Sequence, residues 1–109
     1  MPKEDRLITF DYQEVYQAIF TLCKQKDMRA PPYGAIIHIG NPNDDTSRIE
    51  LELYDKTQDD TRMQEYSRDF VAAALMMYCR GLGIPLPKTA SKTLTLMRDE
   101  VGLRVRIDK

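Results

Sequence analysis

The amino-acid sequence predicts a small α+β protein, with two helices packed on one face of an antiparallel four-stranded sheet. Two segments carry apolar residues at helical spacing, and prolines or glycines follow each of them. After each segment come two short runs in which apolar and polar residues alternate, as they do in half-buried strands. The order helix–strand–strand therefore occurs twice, and 109 residues is a usual length for one domain with one core.

The first predicted helix has a clear start. Residues 1–6 form a charged tail that we expect to be mobile, and Leu7 to Phe10 is expected to be an extended entry or an extra edge strand. Asp11 is the expected N-cap, and Glu14 has the spacing of its capping-box partner. The apolar residues that follow predict an amphipathic helix from Tyr12 to Lys26.

The first hairpin completes a predicted helix–hairpin unit over residues 7–54. The apolar run of residues 34–40 is expected to form one strand, and the strictly alternating run from Ile49 to Leu53 the other. Turn-forming residues from Asn41 to Asp45 separate them. The polar residues 55–61 are expected to connect this unit to the second one.

The second predicted unit spans residues 62–109 and opens with a helix from Arg62 to Arg80. Asp60 or Thr61 is its expected N-cap, and Gly81 marks its end. Two further alternating runs predict the second hairpin, with strands at Thr93–Leu96 and Leu103–Ile107 and a turn at residues 99–102.

Alternation assigns the strand residues to two faces of the sheet. The inner face, under the helices, is expected to hold Ile37, Ile39, Ile49, Leu51, Leu53, Leu94, Leu96, Leu103, Val105 and Ile107. The open face is expected to hold His38, Glu50, Glu52, Thr93, Thr95, Arg104 and Arg106, with Ile36 as its one bulky apolar member. Because the two glutamates and the two arginines have opposite charges, we predict that their strands are neighbours at the sheet centre.

The two predicted units also align with each other, which favours an internal duplication. An offset of 56 residues matches Val15 with Val71, Ala18 with Ala74, Cys23 with Cys79 and Pro31 with Pro87. An offset of 57 residues places Ile37 and Ile39 on Leu94 and Leu96. The alternative is that any two amphipathic helices followed by hairpins align at some offset.

Composition and net charge limit the classes of function that the chain can have. The formal net charge is −1 and the sequence pI is about 5.8, so a globally basic surface for nucleic acid or anionic lipid is absent. The first ten residues are too polar for a signal peptide, and no apolar run has the length of a membrane span. Cys23 and Cys79 lack the spacing of a disulfide framework or a metal site. We therefore expect a cytoplasmic protein with two reduced thiols, with a redox switch as the alternative.

Catalytic patterns are missing from the sequence. His38 is the single histidine, and no serine or cysteine stands beside it at a recognisable motif spacing. Nucleotide-binding, zinc-protease and EF-hand motifs are also missing. We accordingly predict a protein that is not an enzyme and that has no metal and no cofactor.

The predicted role is that of a small interaction or regulatory module, which binds a protein partner or forms a homodimer through its open sheet face or an edge strand. The residues predicted to contact the partner are Ile36, His38, Thr93, Thr95, Arg104 and Arg106. The alternative is a nucleic-acid-binding domain, because basic residues are concentrated late in the chain. That late basic cluster comprises Arg80, Lys88, Lys92, Arg98, Arg104, Arg106 and Lys109.

Overall fold

A computed structural model describes residues 4–107 of the chain. Their helices and strands follow one another as β1 (Glu4–Asp11), α1 (Tyr12–Gln25), β2 (Ala35–Gly40), β3 (Arg48–Asp55), β4 (Asp60–Ser67), α2 (Arg68–Gly81), β5 (Ser91–Leu96) and β6 (Glu100–Ile107). The chain is α+β with two helices, as predicted, but the prediction of one four-stranded sheet is wrong. The six strands of residues 4–107 form two separate three-stranded antiparallel sheets.

Each sheet combines strands from both halves of the chain. The middle sheet has the order β2–β3–β4, and the terminal sheet has the order β1–β6–β5. In the terminal sheet the two ends of the described chain pair directly, with Glu4 opposite Ile107. The central strands β3 and β6 lie in different sheets, so the predicted pairing of Glu50 and Glu52 with Arg104 and Arg106 is wrong.

The first strand and the first helix agree closely with the predictions. The extended entry is the edge strand β1, and it begins at Glu4, three residues before the predicted start; residues 1–3 of the expected mobile tail lie outside the described residues. The capping box is present, because Asp11 Oδ1 accepts from the Glu14 amide at 2.8 Å and Glu14 Oε1 accepts from the Asp11 amide at 3.0 Å. The helix ends one residue before the predicted Lys26.

The strand β4 was missed by the sequence analysis, which assigned its residues to a connector and to the start of the second helix. Its inward positions include polar residues, and Tyr66 is its one buried side chain, so no apolar alternation marks it. The helix α2 begins at Arg68, six residues later than predicted. Its N-cap is Ser67, whose hydroxyl accepts from the Phe70 amide at 3.1 Å; the predicted caps Asp60 and Thr61 are strand residues.

The order β–α–β–β occurs twice with equal element lengths. The first three elements of each unit differ by 56 residues in number and the last strands differ by 52, so the predicted offset of 57 for the first hairpin strands is wrong. The register of β1 on β6 is the same, position for position, as that of β4 on β3. Both helices pack against each other and against the sheets, and Cys23 and Cys79 occupy equivalent buried positions.

A bulge in β2 exchanges the faces of two isoleucines. The register on β3 shifts between Ile36 and His38, which leaves Ile37 as the extra residue. As a result Ile36 is buried at 8% exposure and Ile37 is 50% exposed, the reverse of the predicted faces. The remaining inner-face assignments hold, since Ile39, Ile49, Leu51, Leu53, Leu94, Leu103 and Val105 are buried and Leu96 and Ile107 are half-buried.

The start of the last strand also differs from the prediction. Residues 100–102, expected to be part of a turn, belong to β6, and Val101 is fully buried. The hairpin turn is instead closed by a bond from the Met97 amide to the Glu100 carbonyl at 3.0 Å. No helix among residues 4–107 is long and apolar enough to cross a membrane.

Two equivalent residues link the helices to distant turns. Tyr12 at the start of α1 donates its hydroxyl to the Arg98 carbonyl at 3.0 Å, in the turn between β5 and β6. Arg68 at the start of α2 donates from Nη1 to the Thr46 carbonyl at 3.1 Å, in the loop between β2 and β3, and from Nη2 to the Leu94 carbonyl. Each helix is thereby anchored to a hairpin of the opposite unit.

Candidate functional site

The structure brings together four of the six predicted contact residues. Thr93, Thr95, Arg104 and Arg106 are exposed on one face of the terminal sheet, opposite its buried face, and we call this the outer face of that sheet. His38 is exposed on the outer face of the middle sheet, at the position equivalent to Thr93. Ile36 belongs to the core, so it does not contribute to either open surface.

The arginines of the terminal sheet have an acidic partner in the neighbouring strand. Arg104 donates from Nε and Nη2 to the two carboxylate oxygens of Asp5, each at 2.9 Å, and this bidentate contact holds the pKa of Asp5 below its ordinary value. Arg106 Nε is 4.0 Å from Asp5 Oδ2. Arg106 therefore contacts Asp5 less closely than Arg104 does, and its guanidinium is available to an external carboxylate.

An apolar cluster lies beside these arginines. Gly102, in the central strand, leaves a depression that Leu7 and Met97 cover: a Cβ at Gly102 would lie 2.9 Å from Leu7 Cδ1 and 3.4 Å from Met97 Sδ. Leu7 is 49% exposed although it packs on this glycine. The outer face of the terminal sheet thus combines an apolar centre with two arginines, the carboxylate of Asp5 and hydroxyl-bearing threonines.

The outer face of the middle sheet is mostly acidic around its centre. Glu50 and Glu65 are opposite each other on β3 and β4, and Glu52 is opposite Met63 and His38. Arg48 Nε donates to Glu65 at 2.7 Å and offsets one of these carboxylates. Met63, 52% exposed, occupies the position equivalent to Leu7. The two outer faces therefore share a central apolar residue and differ in the charge of the residue paired with it.

The late basic cluster does not form one surface within the described residues. Lys92 is half-buried and donates from Nζ to the Ala90 carbonyl at 3.1 Å. Arg80 is near the end of α2, and Lys88 and Arg98 are in separate loops. Arg104 and Arg106 alone share a face, and Lys109 lies outside the described residues.

A second candidate site, which the sequence analysis missed, is a groove at one end of the middle sheet. It has a volume of about 540 Å³ and is lined by residues of α1, of the loop before β2 and of the end of β3. Three of these residues are Tyr16, Tyr33 and Tyr54, which lie 17 and 21 positions apart in sequence. No local pattern connects them, and only the pairing of Ala35 with Tyr54 brings them together.

The two cysteines are free, and their side chains are fully buried. Burial raises the pKa of both thiols, which keeps them protonated near neutral pH. Tyr66 lies beside Cys23, and burial together with this thiol raises the pKa of the tyrosine. Among residues 4–107 no group of three metal-ligating side chains converges on one point.

Comparisons with known proteins add no relative. The chain matched no protein-family model, no curated protein and no solved structure.

Proposed function

We propose that this chain is a non-catalytic protein-interaction module that self-associates, with the outer face of the terminal sheet in one copy packed on the outer face of the middle sheet in another. The supporting observation is the opposite charge of the residues paired with the exposed apolar side chain at the centre of each face. Arg104 in β6 and Glu52 in β3 occupy equivalent positions, and each is flanked by an exposed apolar residue, Leu7 or Met63.

The apolar residues supply the attraction in this contact, and the charges set the pairing. Burying half-exposed leucine and methionine side chains removes apolar surface from water, which is the main favourable contribution to association. Like faces would bring arginine towards arginine or glutamate towards glutamate, whereas unlike faces bring Arg106 towards Glu50 and Glu52. An unlike contact between two copies either closes as a dimer with two such contacts or continues into longer assemblies.

Charge reversal tests the contact directly. Arg104→Glu with Arg106→Glu, and separately Glu50→Arg with Glu52→Arg, should each shift the wild-type oligomer towards monomer in light scattering coupled to size exclusion. Mixing the two variants should restore association, because each then presents the complementary face to the other. Arg80→Glu with Lys88→Glu is the matched control for the arginine variant, since it makes the same charge change away from both faces.

The outcomes separate the proposal from its alternatives. A wild-type chain that stays monomeric at all accessible concentrations would overturn self-association, as would variants that associate like the control. A gel shift with duplex or single-stranded nucleic acid at low salt that fades steeply as salt rises would instead support the nucleic-acid alternative.

Two further features of the chain are part of this proposal. We infer that the repeated β–α–β–β order arose by internal duplication, because element lengths and registers match and Cys23 and Cys79 are equivalent. We also infer that the chain works in the cytoplasm, where thiols that are not paired as disulfides stay reduced.

A further inference from the structure

The tyrosine groove is a feature of the first unit that the fold does not require. The residues equivalent to Tyr16, Tyr33 and Tyr54 in the second unit are Ala72, Thr89 and Arg106. The two units nevertheless have the same element lengths and the same pairing around this position. Three tyrosines that line one groove in a single unit therefore point to a binding role.

The groove holds two of its tyrosines in place and leaves the third free to contact a ligand. Tyr16 donates its hydroxyl to the Pro32 carbonyl at 3.2 Å, and Tyr54 donates its hydroxyl to Asp59 Oδ1 at 2.8 Å. Burial raises the pKa of Tyr16, and the bond to Asp59 raises that of Tyr54, so both hydroxyls stay neutral. Tyr33 is 71% exposed, far more than packing alone needs.

The residues that line the groove also include a glycine and two hydrogen-bond donors from α1. Gly34 has a φ of 145°, and a Cβ there would lie 2.9 Å from the Tyr54 carbonyl oxygen, so only glycine fits. Gln13 and Gln17 line the groove from α1, one helical turn apart. Lys56 is the one charged residue among those that line the groove.

We propose that this groove binds a proline-rich peptide segment that carries an acidic residue. A polyproline II segment has no internal hydrogen bonds, so its rings can pack between tyrosines while its carbonyls accept from amide and hydroxyl donors. The tyrosines supply the ring surfaces, Gln13 and Gln17 supply the donors, and Lys56 complements the acidic side chain. Little ordering entropy is lost, because such a peptide is already extended in solution.

Binding is measured by fluorescence anisotropy with a labelled peptide of about six prolines and one glutamate, ~20 Å long in polyproline II. Tyr33→Ala should weaken binding about tenfold or more, as loss of an aromatic anchor does. Thr89→Ala is the matched control at the equivalent position of the second unit and should bind like the wild type. Because Tyr33 is largely exposed, Tyr33→Ala should keep the wild-type circular dichroism spectrum.

A second pair of measurements tests the charge. Lys56→Glu should weaken binding of the glutamate peptide and strengthen binding of the same peptide with lysine in place of glutamate. The proposal would be overturned if binding of the glutamate peptide to the wild type did not saturate below about 1 mM. A dissociation constant of about 1 mM corresponds to a binding free energy of only ~4 kcal/mol. An unchanged peptide affinity in Tyr33→Ala would also overturn the proposal. The same holds if adenosine monophosphate binds saturably while the peptide does not bind at all.

The peptide-binding proposal and the self-association proposal can be overturned separately. The double variant Arg104→Glu, Arg106→Glu alters the terminal sheet and should bind the peptide with the wild-type affinity. A monomeric chain that binds the peptide would leave this inference intact. A chain that associates but does not bind the peptide would overturn the peptide-binding proposal alone.

Discussion

At the residue scale, equivalent positions of the two units do the same structural task with different chemistry. Tyr12 and Arg68 both start a helix and both donate to a turn of the other unit, one with a hydroxyl and one with a guanidinium. Phe10 and Tyr66 are both the buried aromatic residue at the end of a first strand, and each contacts a second ring, of Tyr78 or of Phe70. Tyr12 and Arg68 share a side chain long enough to contact a distant turn, and Phe10 and Tyr66 share their burial. The amino acid itself can therefore differ between equivalent positions.

The cysteines give a prediction at this scale. Cys23 and Cys79 are fully buried and burial raises their pKa values, so at pH 8 both thiols lack access and most of their thiolate form. Alkylation by iodoacetamide then needs local opening, and an opening free energy of about 3 kcal/mol slows it ~100-fold. Mass spectrometry should show this delay relative to the exposed thiol of a Thr93→Cys variant, and full reaction in urea.

Rapid native alkylation of either cysteine would contradict the buried placement and revive the redox switch. A delay shared by both thiols is expected from their equivalent positions, because one opening of the helix pair exposes them together. Alkylation of Cys23 alone would mean that the two helices open separately.

Residue contacts were predictable from sequence where they are local and not where they depend on strand pairing. The capping box of Asp11 and Glu14 needs a spacing of three residues and was predicted. The ion pair of Arg104 with Asp5 joins residues 99 positions apart and follows only from the pairing of β1 with β6. The tyrosine groove was missed for the same reason.

At the element scale, two strands that are polar or irregular account for a missed strand, a misplaced helix start and two exchanged isoleucines. Most of β4 is an exposed edge strand, so hydrophobic alternation, the main sequence signal for strands, is missing. The bulge in β2 shifts the alternation by one residue after Ile36, and a regular strand pattern therefore assigned Ile36 and Ile37 to the wrong faces. The helix α1, the later part of α2 and the regular strand β3 were predictable because their periodicity is uninterrupted.

The comparison of β2 with β5 predicts that the bulge can be removed. In β5, Lys92, Thr93 and Leu94 pair consecutively with β6 and need no extra residue. Deleting Ile37 would let Ile36 and His38 follow the same pattern on β3, at the loss of one half-exposed side chain. We expect the free energy of unfolding, measured by urea titration, to fall by no more than about 1 kcal/mol.

Deletion of Thr93 is the matched control. It removes a residue from a regular strand and turns Leu94 away from the core, so we expect a loss of about 2 kcal/mol or more. Equal destabilisation by the two deletions would mean that the bulge itself is required, and the equivalence of β2 and β5 would then stop at Ile36.

At the scale of the whole molecule, each sheet is completed by the other unit. The hairpin β2–β3 receives β4, and the hairpin β5–β6 receives β1. Neither unit alone supplies three strands to one sheet, so the halves depend on each other for their cores. The described ends of the chain meet in the pairing of Glu4 with Ile107, just as β3 and β4 meet at Asp55 and Asp60.

This arrangement predicts a foldable circular permutant. Joining residue 109 to residue 1 puts residues 108, 109 and 1–3 between β6 and β1, where the middle sheet has residues 56–59 between β3 and β4. Opening the chain between Thr57 and Gln58 then exchanges the order of the units and leaves every strand pair intact. Urea unfolding should stay cooperative, with a free energy within about 2 kcal/mol of the wild type.

The separated halves, residues 1–57 and residues 58–109, are the control for this permutant. Each half lacks one strand of one sheet and two strands of the other, so circular dichroism of either half alone should show no cooperative unfolding, and mixing them should restore it. A half that folds alone would contradict the mutual completion of the sheets. If the permutant does not fold although the mixed halves assemble, folding of the intact chain requires the native order of the units. All native strand pairings remain available to the permutant.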